Sequence, residues 1–190
     1  MANKIKSICV FSSLLLFLSC GMNSHKNEEI TTTCGGDSVH VNPDKFKTIP
    51  QEYLNVIEKS NAIEWMLLDA YSDKPDTTLL IGGGEVLLSK TDSIKERIGA
   101  VVSTLTYKES FPLSDHVKES VFMPDLAMRF IYSNDTVVVA YSFYCDLCRF
   151  QKGYKYIDYD GENIRKEIVR LSLQIFPNDK YLRGLNRRGK

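Results

Sequence analysis

The stretch "TVVVAYSFYCDLCRF" (Thr136–Phe150) carries the alternation that decides the fold. Its odd positions, Val137, Val139, Tyr141, Phe143, Cys145 and Leu147, form an unbroken apolar series. Its even positions, Val138, Ala140, Ser142, Tyr144, Asp146 and Cys148, are mixed. Successive side chains on a strand point to opposite faces, so this pattern predicts a half-buried strand over Thr136–Leu147. Gly153 marks the hairpin beyond it. Residues three apart in a continuous strand face opposite sides. Cys145 is therefore expected as a core thiol and Cys148 on the other face. A disulfide or a shared metal between them would need a sharp turn at Asp146–Leu147.

Working outward, "SNDT" (Ser133–Thr136) makes a tight turn back to a strand over Leu126–Tyr132, with Val117–Met123 leading into it. After the hairpin a strand over Tyr154–Tyr159 follows. A last helix runs from Glu162 to Phe176, with Ile164, Ile168, Leu171 and Ile175 as its apolar stripe. Asp160 is its candidate N-cap and Pro177 stops it. "NDKYLRGL" adds a short helical turn.

Upstream, "TIPQ" offers Thr48 and Gln51 as a capping box for a helix over Pro50–Ser60 that buries Tyr53, Leu54 and Ile57. Strands are expected over Ala62–Ser72, with Ile63, Trp65 and Leu67 on one face, and over Thr78–Ser89, broken or bulged at three glycines. "DKPDT" turns between them. A helix follows, capped by Ser93 and Glu96, with Ile94, Ile98, Val101 and Leu105 in its stripe. The expected fold is α+β, in the order α-β-β-α-β-β-β-α. It is a twisted antiparallel sheet of four to five strands with two main helices on one face.

The N-terminal residues read as an address. Lys4 and Lys6 precede the apolar run "ICVFSSLLLFL" (Ile8–Leu18), which is of signal-peptide length. The run ends in "FLSCG". This resembles the lipobox of bacterial lipoproteins, with Phe17 in place of the usual Leu or Val. The resemblance implies that residues 1–19 are removed and that Cys20 is acylated and anchors the chain in a membrane. "HKNEE" just behind it resembles the charged surface-export signals of Bacteroidota lipoproteins; it reads equally as the ordinary charge of a tether. Residues 20–47 are polar and without period, a flexible tether reaching about 25–30 Å. Residues 48–190 form a single domain. The expected location is the bacterial cell envelope, outer membrane included.

Removal of residues 1–19 takes two lysines and no acid, leaving 22 basic against 24 acidic residues. That balance argues against a general nucleic-acid-binding or polybasic membrane-binding surface. The tail "LRGLNRRGK" is locally basic and reads as a solvated end.

Catalytic and metal motifs are incomplete. A C-x-x-C redox pair wants its first thiolate at a helix N-terminus, and Cys145 and Cys148 stand in a strand pattern. Zinc wants about four ligands, yet Cys34, His25 and His40 lie in the tether and a second C-x-x-C is absent. "IGGGEV" lacks the lysine and spacing of a phosphate loop. "IDYDGE" puts Asp158, Asp160 and Glu167 on calcium-loop places but Tyr156 on the first. "LSDH" makes Ser114, Asp115 and His116 sequence neighbours, which need not meet as a triad. The tyrosines 141, 144, 154, 156 and 159 could form an aromatic patch or fill a sheet face. No metal, cofactor or catalytic residue is assigned.

"MPDLAMRFIYSNDTVVVAYSFYC" followed by "IFPND" resembles a loose group of small exported bacterial proteins without an assigned activity. They share a proline-led strand with an Arg, a strand ending in a C-F-x-C-like run, and a late helix ended by Phe-Pro. Ser142 stands here for the first cysteine of that run and Cys145 for the second. The expected function is a lipid-anchored binding or structural module for a protein or glycan partner. The alternative is a thiol-active envelope protein using Cys148 or the Cys145/Cys148 pair.

Overall fold

The structure, a computed structural model, describes residues 46–69, 84–113 and 121–188. Its strands are β1 (Ile63–Asp69), β2 (Glu85–Asp92), β3 (Leu126–Tyr132), β4 (Asp135–Ser142), β5 (Leu147–Lys152) and β6 (Lys155–Asp160). Its helices are α1 (Gln51–Lys59), α2 (Lys95–Thr106), α3 (Arg165–Ile175) and α4 (Lys180–Arg188). The strands form one antiparallel sheet in the order β2-β1-β3-β4-β5-β6. The architecture is α+β as expected, with six strands rather than four or five.

The extra strand arises where one continuous strand was expected. The chain leaves β4 at Ser142, turns over residues 143–146 and returns as β5. A second hairpin turns at Gly153, which sits at φ 59°. Residues 121–125 lie outside any strand. Pro124 has no N–H to give to a ladder, so pairing begins after it. Strand β2 runs on to Asp92, past the expected end at Ser89, and residues 70–83 fall outside the described ones. Opposite Leu87 the register slips at Leu67/Leu68, a bulge at the sheet edge. Gly84 passes close to its neighbours: a Cβ there would sit 3.2 Å from the Leu68 Cβ.

The alternation sorts the two faces. Ile63, Trp65, Leu67, Met128, Phe130, Val137, Val139 and Tyr141 share one core with buried residues of all four helices. Trp65, Val137, Val139 and Tyr141 are fully buried there. The expected stripe Ile164, Ile168, Leu171 and Ile175 is buried throughout, with Ile164 just before α3 and the other three on it. The opposite face carries a smaller cluster of Met66, Leu68, Ala127 and Ala140, with Phe122 packed against it.

Neither expected capping box forms at a helix start. Helix α1 follows Pro50 without a side-chain cap, and the Thr48 carbonyl instead accepts a bond from the Tyr159 hydroxyl at 3.1 Å. At α2 the work falls to Asp92. Its Oδ1 accepts the Ile94 N–H at 3.1 Å, and both oxygens hold Arg97 at 2.7 and 2.8 Å. Buried Asp92 beats exposed Ser93 because it satisfies an orphan N–H and an arginine together. Ile94 turns outward, half exposed, and leaves the stripe to Ile98, Val101 and Leu105. Asp160 does serve α3: its Oδ1 accepts the Glu162 N–H at 3.0 Å, opening a 3-10 turn over Glu162–Ile164.

Candidate functional site

The turn 143–146 gathers polar side chains from distant parts of the chain. Asp146 sits at φ 53°, in the left-handed region that a short polar side chain tolerates better than most. Its carbonyl accepts the Gly161 N–H at 2.7 Å. Asp125 takes the Phe143 N–H on its carboxylate at 2.7 Å. Arg165, at the start of α3, donates to the Phe143 carbonyl at 2.8 Å and pairs with the Asp146 carboxylate. The Tyr141 hydroxyl donates to the Gly161 carbonyl at 2.9 Å, with the Asp146 carboxylate beside it. The turn is thereby clamped to the β6–α3 junction.

The electrostatics of this cluster follow from burial. Burial pushes the Asp125 carboxyl above its ordinary value, against the Phe143 N–H, the Tyr181 hydroxyl and the Arg165 charge, which pull it down. Burial likewise pushes the Tyr141 hydroxyl far up. These groups bond to one another, and the cluster works as a pin.

The turn reverses the expected placement of the two thiols. Reversing the strand resets the alternation, so Cys148 joins the core face, fully buried between Tyr141 and Tyr159 in the ladder. Cys145 rides in the turn, half-buried. Both are free thiols. Burial, and behind it the Asp158 charge, pushes the Cys148 thiol well above its ordinary range. A nucleophilic cysteine needs thiolate character and access, and Cys148 has neither.

The open face of the sheet presents a second constellation that the sequence reading missed. Arg149 on β5 holds Asp158 on β6 through two bonds of 2.7 and 2.8 Å. Its guanidinium lies 4.1 Å from the ring centroids of both Phe122 and Tyr156. The guanidinium, planar by resonance, is fixed in orientation by the two rings and by Asp158. One row away Arg129 pairs with Glu64 at 2.8 Å, and Ser89 donates to the same carboxylate at 2.9 Å. The signal for Arg149–Asp158 was present. A two-residue turn at Gly153 pairs Lys152 with Lys155, and counting back pairs Arg149 with Asp158.

Other candidate residues are dispersed. Tyr141 and Tyr159 are buried, whereas Tyr144, Tyr154 and Tyr156 are exposed, so the tyrosines form no single patch. Asp158, Asp160 and Glu167 serve Arg149, the Glu162 N–H and Arg170 respectively, and do not converge as a calcium loop would require. Among the described residues no three His, Cys, Asp or Glu side chains gather as a metal site. Cys20, His25, Cys34, His40, Ser114, Asp115 and His116 lie outside the described residues. A wide groove of about 700 Å³ runs between α2 and the start of α3, lined by Ser103, Tyr107, Glu109 and Asn163 among others. No protein family, curated protein or solved structure matches the chain.

Proposed function

We propose that this chain is a lipid-anchored protein of the bacterial cell envelope whose α+β domain is a binding module for a protein or glycan. The anchor is the lipid on Cys20, by the lipobox resemblance, and the polar segment behind it is the tether. The observation that carries the binding reading is the Phe122–Arg149–Tyr156 stack on the open sheet face. Stacked planar groups beside hydrogen-bonding side chains are what sugars and peptide planes pack against. Tyr156 is more than half exposed, so a ligand can reach it.

The test has two arms. An inhibitor of signal peptidase II should make the unprocessed chain accumulate, and Cys20→Ser should abolish acylation. Pull-downs from crosslinked envelopes should recover a protein or glycan with the native chain and lose it with Tyr156→Ala. Equal recovery by both would remove the open face from the proposal. The thiol reading uses Cys148 or the Cys145/Cys148 pair, and the burial of Cys148 counts against it while Cys145 is half-buried. If Cys148→Ser leaves the envelope's thiol–disulfide balance unchanged, that reading is dropped.

A further inference from the structure

We infer that the groove between α3 and α4 binds the phosphate of an anionic lipid headgroup; the inference rests on the lipid-anchored reading above. The whole chain balances 24 basic against 24 acidic residues, yet from Arg165 to Arg188 seven lysines and arginines stand against two acids. This stretch is α3, α4 and the turn joining them. Between the helices lies a cavity of about 260 Å³. Val169 and Leu185 give it an apolar floor, and its rim carries three cations, Arg165, Lys166 and Arg170, with Asn186 and one carboxylate, Glu167. Val169 is buried against the core, so the floor is fixed.

Of the rim cations Lys166 alone stands outside an ion pair among the described residues, and Lys180, Arg187 and Arg188 lie on α4 beyond the lining. Arg165 is committed to Asp146 and the Phe143 carbonyl, and Arg170 pairs with Glu167. Lys166, Lys180, Arg187 and Arg188 are exposed. No ion pair engages them among the described residues. The occupant follows from the chemistry. The excess positive charge calls for an anion, and the apolar floor beside it calls for attached carbon. The volume is below that of a drug-sized pocket, so it fits a phosphate with its glycerol carbons rather than a whole acyl chain. Each lysine or arginine that meets an anionic membrane surface adds about fivefold in affinity. The tether supplies proximity. A lipid on Cys20, on the reading above, would hold the domain at high effective concentration near the bilayer.

The test uses the full chain, reconstituted into phosphatidylcholine vesicles with or without phosphatidylglycerol, and reads amide exchange across α3 and α4. Phosphatidylglycerol should slow that exchange by about fivefold or more. High salt should reverse the effect, since about 1 M salt shortens electrostatic reach to about 3 Å. Lys166→Glu should abolish it, and Arg187→Glu, further along α4, should weaken it if the first variant folds poorly. Equal exchange in both vesicle types overturns the inference. So does equal protection by inorganic phosphate alone, which would mark a free-anion site. Equal protection by polyglutamate would assign the face to acidic polypeptides and also overturn it. The anchor is read separately: if the chain leaves phosphatidylcholine vesicles, the lipid-anchored reading fails. Phosphatidylglycerol vesicles added to the soluble chain still decide the headgroup site.

Discussion

Gly161→Ala probes the contact on which the clamped turn depends. Gly161 has φ −100°, which any residue adopts, so backbone strain is not the issue. Space is. A Cβ on Gly161 would sit 2.7 Å from Tyr141 Cε2 and 3.3 Å from both Tyr141 Cζ and the Cys148 Cβ. Ordinary carbon contacts lie near 3.5–4.0 Å, so the ring must yield by roughly 1 Å. It has little freedom to do so. Tyr141 is fully buried, its hydroxyl is bonded to the carbonyl of Gly161 itself, and the Phe143 ring lies 4.8 Å away. Forcing one methyl into such a site costs about 1–3 kcal/mol. With a urea m-value of about 1–3 kcal/mol/M, the midpoint should fall by the order of 1 M. Urea unfolding followed by circular dichroism and tryptophan fluorescence measures this. Gly99→Ala is the control. Gly99 is exposed on α2, and a Cβ there would meet nothing within 4 Å. That substitution should stabilise by about 1 kcal/mol through helix propensity. If Gly161→Ala is as stable as the native chain, the Tyr141–Gly161 contact does not hold the turn as argued.

Four further outcomes follow from the structure. With a thiol reagent under native conditions Cys145 should react and Cys148 should not; denaturation should release Cys148, and rapid native labelling of Cys148 would refute its placement. The Arg97 hydrogen bonds hold the Asp92 carboxyl below its ordinary value, so its contribution is present above about pH 4 and lost as pH falls through the lowered value. Asp92→Asn should therefore cost about 1–2 kcal/mol near neutrality and nothing once both states are protonated, read from urea midpoints against pH. Asp125 has the opposite sign: burial raises it, so the fold gains stability as pH falls through its raised value toward about 4. Asp125→Asn should remove that gain; a native and variant chain with parallel pH profiles would contradict it. Finally, Arg149→Ala should cost about 1–3 kcal/mol, because it removes two charge-assisted bonds and two stacked faces, whereas Lys155→Ala at the exposed hairpin should be within about 0.5 kcal/mol.

The site was less legible than the fold, and the turn at residues 143–146 explains why. It holds no Gly, Pro or Asn, and the apolar alternation runs straight through it. What bends the chain there is a set of partners far along the sequence: Asp125 on the Phe143 N–H, Gly161 on the Asp146 carbonyl and Arg165 on both turn residues. None of these pairings has a local signature. The same holds for Phe122 over Arg149, which brings a loop residue across the sheet.

What the sequence determined by itself is whatever depends on neighbours a few residues apart. The period of two placed Val137, Val139 and Tyr141 on the core face, and the helical period placed Ile168, Leu171 and Ile175 there. Gly153 marked a hairpin because a two-residue turn needs a left-handed residue. The tertiary structure alone decided where β4 ends, which thiol is buried and which acid caps α2. Those outcomes depend on burial and on which donors and acceptors meet in space, as Asp125 meets the Phe143 N–H, and one-dimensional periodicity carries no record of that.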